Sequence, residues 1–167
     1  NLDGTGQYQI ETGNGFLDHL LAQLAKHGLL DLNISAKGDT ETGWHHTVED
    51  IAIVTGRAVR QAIGNGQGIT RMAHAFVPLD EALALVAVDF SGRGYAVLDI
   101  GLTEGDMGGL TPDLVDHFLE SFAQQGRFNI HVRVMSGESN HHKAEAVFKA
   151  LAQAVPEAVS CGYSRRL

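Results

Sequence analysis

Asp18-His19 followed by His45-His46-Thr47-Val48-Glu49, and Asp116-His117 followed by His141-His142-Lys143-Ala144-Glu145, are one pattern written twice in a chain of 167 residues. The interval from the lone histidine to the histidine pair is 26 residues in the first copy and 24 in the second. Six of the nine histidines and two glutamates fall into this repeat. An internal duplication of this kind decides the fold before any single element is assigned. It divides one compact domain into two similar halves, about 1–68 and 69–160, with a short tail at 161–167.

Working outward, the first copy begins with a helical pattern from Phe16 to Lys26, where Phe16, Leu17, Leu20, Leu21, Leu24 and Ala25 share a face and Gly28 supplies a stop. A strand follows at Leu30 to Ala36, and a second helix runs from His46 to Ile63 into the loop Gly64-Asn65-Gly66-Gln67-Gly68. The second copy keeps the order. Thr111-Pro112-Asp113 reads as a helix entry, with Thr111 as cap and Pro112 in the first turn. That helix ends at Gly126, a strand alternates from Phe128 to Met135, and a helix from His142 to Val155 closes the copy. Strand-rich stretches at Ala73 to Val88 and Arg93 to Leu102 lie between. The expected class is α+β, each half a small β-sheet packed with two α-helices. Neither half buries enough alone, so the two should share a core. Only 17 residues precede Asp18, against a long strand-rich lead-in before Asp116. A strand of the parent unit is therefore expected to be missing ahead of the first copy.

The repeated residues suit metal binding. On a helix, i and i+4 share a face, so His45 with Glu49, and His141 with Glu145, can each offer a ring nitrogen and a carboxylate oxygen to one ion. The neighbours His46 and His142 point roughly 100° away and suit a different ion. His19 and His117, from the other helices, bring the total to eight ligands, enough for two sites of three histidines and one glutamate. Such an N/O set fits Mn, Fe, Zn, Co or Ni, with manganese plausible because carboxylates are present and thiolates absent. Four protein ligands on an ion that prefers six leave positions open for substrate, the mark of a catalytic site. Asp18, Asp50 and Asp116, beside the ligands, are candidate acceptors for imidazole N–H groups. Taken singly, a histidine beside an aspartate is an ordinary cap or surface residue; the duplication in register carries the metal reading. His74 and His131 have no counterpart and read as structural. His27 lies on one face with His19 and Gln23 and can line the same cavity.

Composition narrows the classes. A net charge of −8 argues against nonspecific nucleic-acid binding. One cysteine, Cys161, excludes an intramolecular disulfide and thiolate zinc sites. No run is long enough for a membrane span and no signal peptide opens the sequence, so a reducing, cytoplasmic compartment is expected. A local Arg or Lys can still hold one phosphate. Arg71 after the glycine-rich loop, Arg93 in Asp89-Phe90-Ser91-Gly92-Arg93-Gly94, and Lys149 four residues past Glu145 are the candidates, against an ordinary solvated face. The paired acids of Pro78-Leu79-Asp80-Glu81-Ala82-Leu83 read as an exposed strand edge.

Together these residues resemble the imidazoleglycerol-phosphate dehydratase family. The matching strings are Gly15-Phe16-Leu17-Asp18-His19-Leu20, Gly38-Asp39-Thr40, His45-His46-Thr47-Val48-Glu49-Asp50, Pro78-Leu79-Asp80-Glu81-Ala82-Leu83, Asp89-Phe90-Ser91-Gly92-Arg93, Gly137-Glu138-Ser139-Asn140-His141-His142 and Glu145-Ala146-Val147-Phe148-Lys149-Ala150. The resemblance implies a duplicated, ribosomal protein S5 domain 2-like fold in a cytoplasmic homo-oligomer of 24 subunits, with active sites between chains. It implies a lyase of histidine biosynthesis that dehydrates D-erythro-imidazole glycerol phosphate to imidazole acetol phosphate with two Mn²⁺ per subunit. One ion would take His19, His46, His141 and Glu145; the other would take His45, Glu49, His117 and His142. Gln23, His27, Arg71, Arg93 and Lys149 become substrate or phosphate contacts, and Glu49 or Glu145 the acid/base group. Two departures stand out: the family's N-terminal strand with a substrate-contacting glutamate, and its lysine-containing C-terminal segment, are not matched. Arg165 or Arg166 could stand in for that lysine. Two rival readings keep the ligands: a noncatalytic metal-binding shell, against which Arg71, Arg93 and Lys149 argue, and a binuclear metallohydrolase, which needs a bridging carboxylate not evident here.

Overall fold

The computed structural model describes residues 1–161. Arg165, Arg166 and the rest of the tail lie outside the described residues. The chain runs β1 (Tyr8–Glu11), α1 (Gly15–Gly28), β2 (Leu32–Ser35), a 3₁₀ turn (Thr40–Thr42), α2 (His45–Ile63), β3 (Met72–Leu79), β4 (Ala82–Asp89), β5 (Tyr95–Asp99), α3 (Pro112–Gly126), β6 (Asn129–Ser136) and α4 (Asn140–Val159). β1 and β2 pair in parallel around α1, as β5 and β6 pair in parallel around α3. The β-α-β-α repeat is thus visible twice, β1-α1-β2-α2 and β5-α3-β6-α4. The second copy carries the β3–β4 hairpin as well, giving a four-stranded sheet of order β3-β4-β6-β5.

β1 is not among the elements read from the sequence. Tyr8, Gln9 and Glu11 are exposed and Ile10 is half-buried, so the segment lacks an apolar alternation. Its place is set by the parallel ladder to β2, in register from Tyr8 opposite Leu32 to Glu11 opposite Ser35.

Helix ends also depart from expectation in one respect. Asn14 caps α1, its side chain accepting from the N–H groups of Phe16 and Leu17. Ser139 caps α4 by accepting from the His142 N–H. Thr111 makes no side-chain cap bond, and Pro112 alone starts α3 well. Gly28 and Gly126 do not supply the left-handed stop. That conformation belongs to Leu29 (φ 53°) and Arg127 (φ 54°), the residues after them. The glycines are needed for close approach: a Cβ on Gly28 would meet the Ala152 carbonyl oxygen at 2.8 Å, and one on Gly56 the Phe122 carbonyl oxygen at 2.6 Å.

Those two approaches join the halves. α1 packs against α4, and α2 packs against α3, so each helix of the first copy meets a helix of the second. Leu17, Leu20 and Leu21 of α1 share one core with Phe118 and Phe122 of α3, Phe128, and Phe148 and Leu151 of α4, as a duplicated domain requires. Along β4, Ala82, Ala84, Val86 and Val88 face that core. The outer face of the sheet is open and mixed, with Met72, Phe76, Tyr95, Val97 and Met135 exposed beside His74, His131 and Arg133.

Candidate metal centre

Because the helices pair across the halves, so do the histidines they carry. In the α1–α4 pair, the Nε2 atoms of His19 and His141 lie 2.9 and 3.1 Å from Oε2 of Glu145. The other Glu145 oxygen accepts from the Lys149 ammonium at 2.7 Å. The ring of Phe16 sits over both imidazoles. In the α2–α3 pair, Glu49 lies 3.5 Å from Nε2 of His117, and the rings of His117 and His45 stack with centroids 4.5 Å apart. In each group of three, one ligand atom per residue falls within 4.8 Å of the others.

Each group offers two ring nitrogens and one carboxylate oxygen, a donor set for a divalent transition ion. Nε2 of His117 is buried and has no hydrogen-bond partner among the described residues. A buried, unpaired ring nitrogen is costly unless something takes its lone pair or proton, and a cation at this spot would do so. The residues present therefore fit a metal.

Burial pushes the Glu145 carboxyl up, but the Lys149 ammonium and His19 outweigh it and hold it at about 2. Down α1, Gln23 donates to Nδ1 of His19 at 3.5 Å and His27 donates to Gln23 at 3.1 Å. Burial, then the charges of Lys149 and Lys26, lower the His27 pKa and keep that ring neutral.

His46 and His142 stand outside both groups. His46 is exposed, its ring edge-on to that of His45 at 5.9 Å. The Nδ1–H of His142 donates to Glu81 at 2.7 Å. Each four-ligand set implied above is thus three-quarters assembled in one chain, in keeping with the 100° offset between adjacent helical positions.

The aspartates behave differently from expectation. Asp18 accepts from the N–H and hydroxyl of Thr12, at 2.9 and 2.6 Å, and so fixes the entry to α1 instead of an imidazole. Asp50 is exposed. Asp116 has an unpaired buried oxygen, and burial, then Glu120 and Asp113, raise its carboxyl. Outside the two groups, the carboxylate on an imidazole is Glu81, read from the sequence as strand edge; the available signal was the pair of acids beside a turn.

The arginines are not brought to either group. Arg71, at φ 77°, forks its guanidinium onto Asp89 at 2.7 and 3.1 Å. Its N–H donates to the Ala158 carbonyl, at the far end of α4 from His141. At about 1.5 Å per residue that helix separates them by roughly 25 Å. Arg93 is exposed near the same end. β4 gives an independent measure, with Glu81 before its start and Asp89 at its end, about 25 Å apart at roughly 3.3 Å per residue.

The imidazoleglycerol-phosphate dehydratase family model matches residues 12–155, a span that holds both groups and both arginines. The chain belongs to that family. Its sequence is 56% identical to the imidazoleglycerol-phosphate dehydratase of Dehalococcoides mccartyi over 160 residues, 96% of this chain and 80% of that protein. It is 51% identical to the enzyme of Methanothermobacter thermautotrophicus over 95% of this chain and 81% of that one. The fold is similar to the crystal structure of the Staphylococcus aureus dehydratase, with a TM-score of 0.88 at 35% identity, over 95% of this chain and 90% of that one. The chain is accordingly an enzyme, a lyase of the dehydratase type. Among its described residues no helix is long and apolar enough to cross a membrane.

Proposed function

We propose that the chain dehydrates imidazole glycerol phosphate to imidazole acetol phosphate in histidine biosynthesis, using two manganese ions per subunit and active sites completed between subunits. The carrying observation is the pair of His/His/Glu groups, each assembled from both halves, with the His117 nitrogen unpaired in one of them.

The ions, when bound, would hold the imidazole ring and stabilise the charge that develops as the hydroxyl leaves. His19, His141 and Glu145 would hold one, and His45, Glu49 and His117 the other, with His46 and His142 contributing from neighbouring copies. Glu145, kept ionised at about 2 against its burial by Lys149 and His19, is suited to holding a cation and poorly suited to accepting a proton. Glu49 is the less confined carboxylate, with 38% of its side chain exposed and its nearest partner 3.5 Å away, and it takes the acid/base role in this reading. Gln23 and His27 line the substrate's approach along α1. Lys149 lies one turn past Glu145 and can meet the polyol or phosphate end.

Arg71 lies roughly 25 Å from the His19, His141 and Glu145 group of its own chain, most of the length of α4, too far to share one small substrate with it. In this reading a second copy presents Arg71 to that group, which favours a homo-oligomer; the exposed apolar side chains of the sheet face favour the same reading. The 24-subunit particle is the form of that oligomer we propose. A binuclear hydrolase is not favoured, because the two groups have no carboxylate in common.

The test is turnover of imidazole glycerol phosphate by metal-stripped protein before and after manganese is restored. Activity that vanishes and returns supports the proposal. Undiminished activity without metal would overturn it.

A further inference from the structure

Among the described residues, the His142 ring is the only one of the eight proposed ligand side chains anchored by a carboxylate outside both groups. Glu81 sits in the β3–β4 turn beside Asp80, which adopts φ 47°. One oxygen of Glu81 accepts from the backbone N–H groups of Glu138 and Ser139 at 3.1 and 2.9 Å, in the loop that enters α4. The other takes the Nδ1–H of His142 at 2.7 Å. Ser136 adds a hydroxyl bond to the Glu81 carbonyl at 3.0 Å. The carboxylate is thus fixed from two sides before it touches the imidazole.

We propose that Glu81 is a positioning residue for His142, setting both the tautomer and the rotation of its ring. An ionised carboxylate only accepts, so Nδ1 carries a proton, and in the neutral ring Nε2 keeps its lone pair. The nearest acid to Nε2 is Asp80, at 3.7 Å, beyond hydrogen-bond reach. Nε2 is therefore left free to bind an ion. The role rests on the reading above that His142 is a ligand. It is specific to the second copy, since the ring of His46 has no such anchor among the described residues.

Glu81→Gln separates positioning from scaffolding. The amide oxygen can keep the two backbone N–H groups, but the amide nitrogen then faces Nδ1 and drives the proton onto Nε2. Titration of the metal-free variant with Mn²⁺ should show one ion bound as in the wild type and the other weakened about 10- to 100-fold, the range for losing such an outer partner. Retention of both ions at wild-type affinity, or equal weakening of both, would overturn the proposal. Nitrogen-15 spectra of histidine-labelled, metal-free wild type, taken at a pH where the ring is neutral, need no variant to fold: they should show the His142 proton at Nδ1, and a neutral ring protonated at Nε2 would overturn it. His142→Ala distinguishes the two levels. Two ions bound at wild-type affinity in that variant would remove His142 from the ligand set, whereas loss of an ion there but not in Glu81→Gln would overturn the role of Glu81 alone.

Discussion

The two His/His/Glu groups occupy equivalent positions of the repeat, yet they are satisfied to different degrees. Around Glu145 the contacts are 2.7 to 3.1 Å and every charge has a partner. Around Glu49 the closest approach is 3.5 Å, and His117 has an unpaired nitrogen. The cause is legible in the neighbouring residues. Lys149, four residues past Glu145, has Ile53 as its counterpart after Glu49. Phe16, which covers His19 and His141, has Leu114 as its counterpart before His117. Gln23, which touches His19, corresponds to Ser121. The repeat holds two copies of one ligand frame, and only one of them has a built-in countercharge. One group is stable without a cation; the other is incomplete until it has one.

The comparison is broken most directly by removing each carboxylate in turn. Glu145→Ala leaves Lys149 without its partner and should cost about 3 kcal/mol of stability in the metal-free chain. Glu49→Ala should cost under about 1 kcal/mol, because that carboxylate is part-exposed and loosely held. Both should release an ion and lower turnover by on the order of 10³-fold. Urea unfolding and metal analysis would check the pair, and equal stability losses would show that the difference between the groups is not energetic.

Lys149→Met tests the countercharge itself. Losing a charge-assisted bond to a carboxylate that is 12% exposed should cost about 2 kcal/mol in the metal-free chain. The same substitution removes a proposed phosphate contact, so the rise in KM should exceed the fall in kcat. A fall in kcat alone would assign Lys149 to the metal group only.

A smaller effect is expected from pH. The folded Glu145 carboxyl lies at about 2, below its ordinary value of 4.5, because Lys149 and His19 overcome the upward push of burial. A group depressed in this way stabilises the fold fully above pH 4.5, and the contribution is lost as the pH falls from 4.5 through 2. Glu81 is likewise held at about 2, chiefly by the Ser139 N–H and then by His142. Comparing wild type with Glu145→Gln cancels Glu81 and isolates Glu145. The wild type should lose more stability across that window in acid unfolding of the metal-free protein, and parallel curves would remove Glu145 as the cause.

Much of this arrangement was legible before the structure, and the rest was hidden for physical reasons. The four helices show themselves by apolar periodicity, with Leu17, Leu20, Leu21 and Leu24 on α1 and Phe118 and Phe122 on α3 all buried. β1 was not legible because Ile10 alone among its residues leans on the core. His45 with Glu49, and His141 with Glu145, follow from helical spacing. Their union with His117 and His19 requires the cross-pairing of α1 with α4 and α2 with α3, which periodicity does not specify. Proximity in sequence pointed to Asp18 and Asp116 as imidazole partners. Glu81 reaches His142 because β4 and β6 are paired, a contact 61 positions away. Arg71 and Arg93 read from the sequence as holders of an anionic group, but only the lengths of α4 and β4 reveal that Arg71 stands at the other end of α4 from His141.

The finest probe of the comparison is the unpaired nitrogen. His117→Phe keeps an aromatic ring to stack on His45 while deleting the atom that lacks a partner. With 26% of the side chain exposed, the penalty at His117 should sit at the low end of the range for a buried unpaired group, about 1 kcal/mol. The metal-free variant should therefore be more stable than wild type by about that amount, even though it can no longer hold an ion between α2 and α3. His19→Phe offers the reverse case. It deletes a satisfied contact to Glu145 at 2.9 Å and should destabilise the metal-free chain. Opposite signs from the same substitution at equivalent positions would show that the group around Glu49 is held unsatisfied for its cation. Matching signs would mean that the two groups, for all their difference in geometry, are equally prepared.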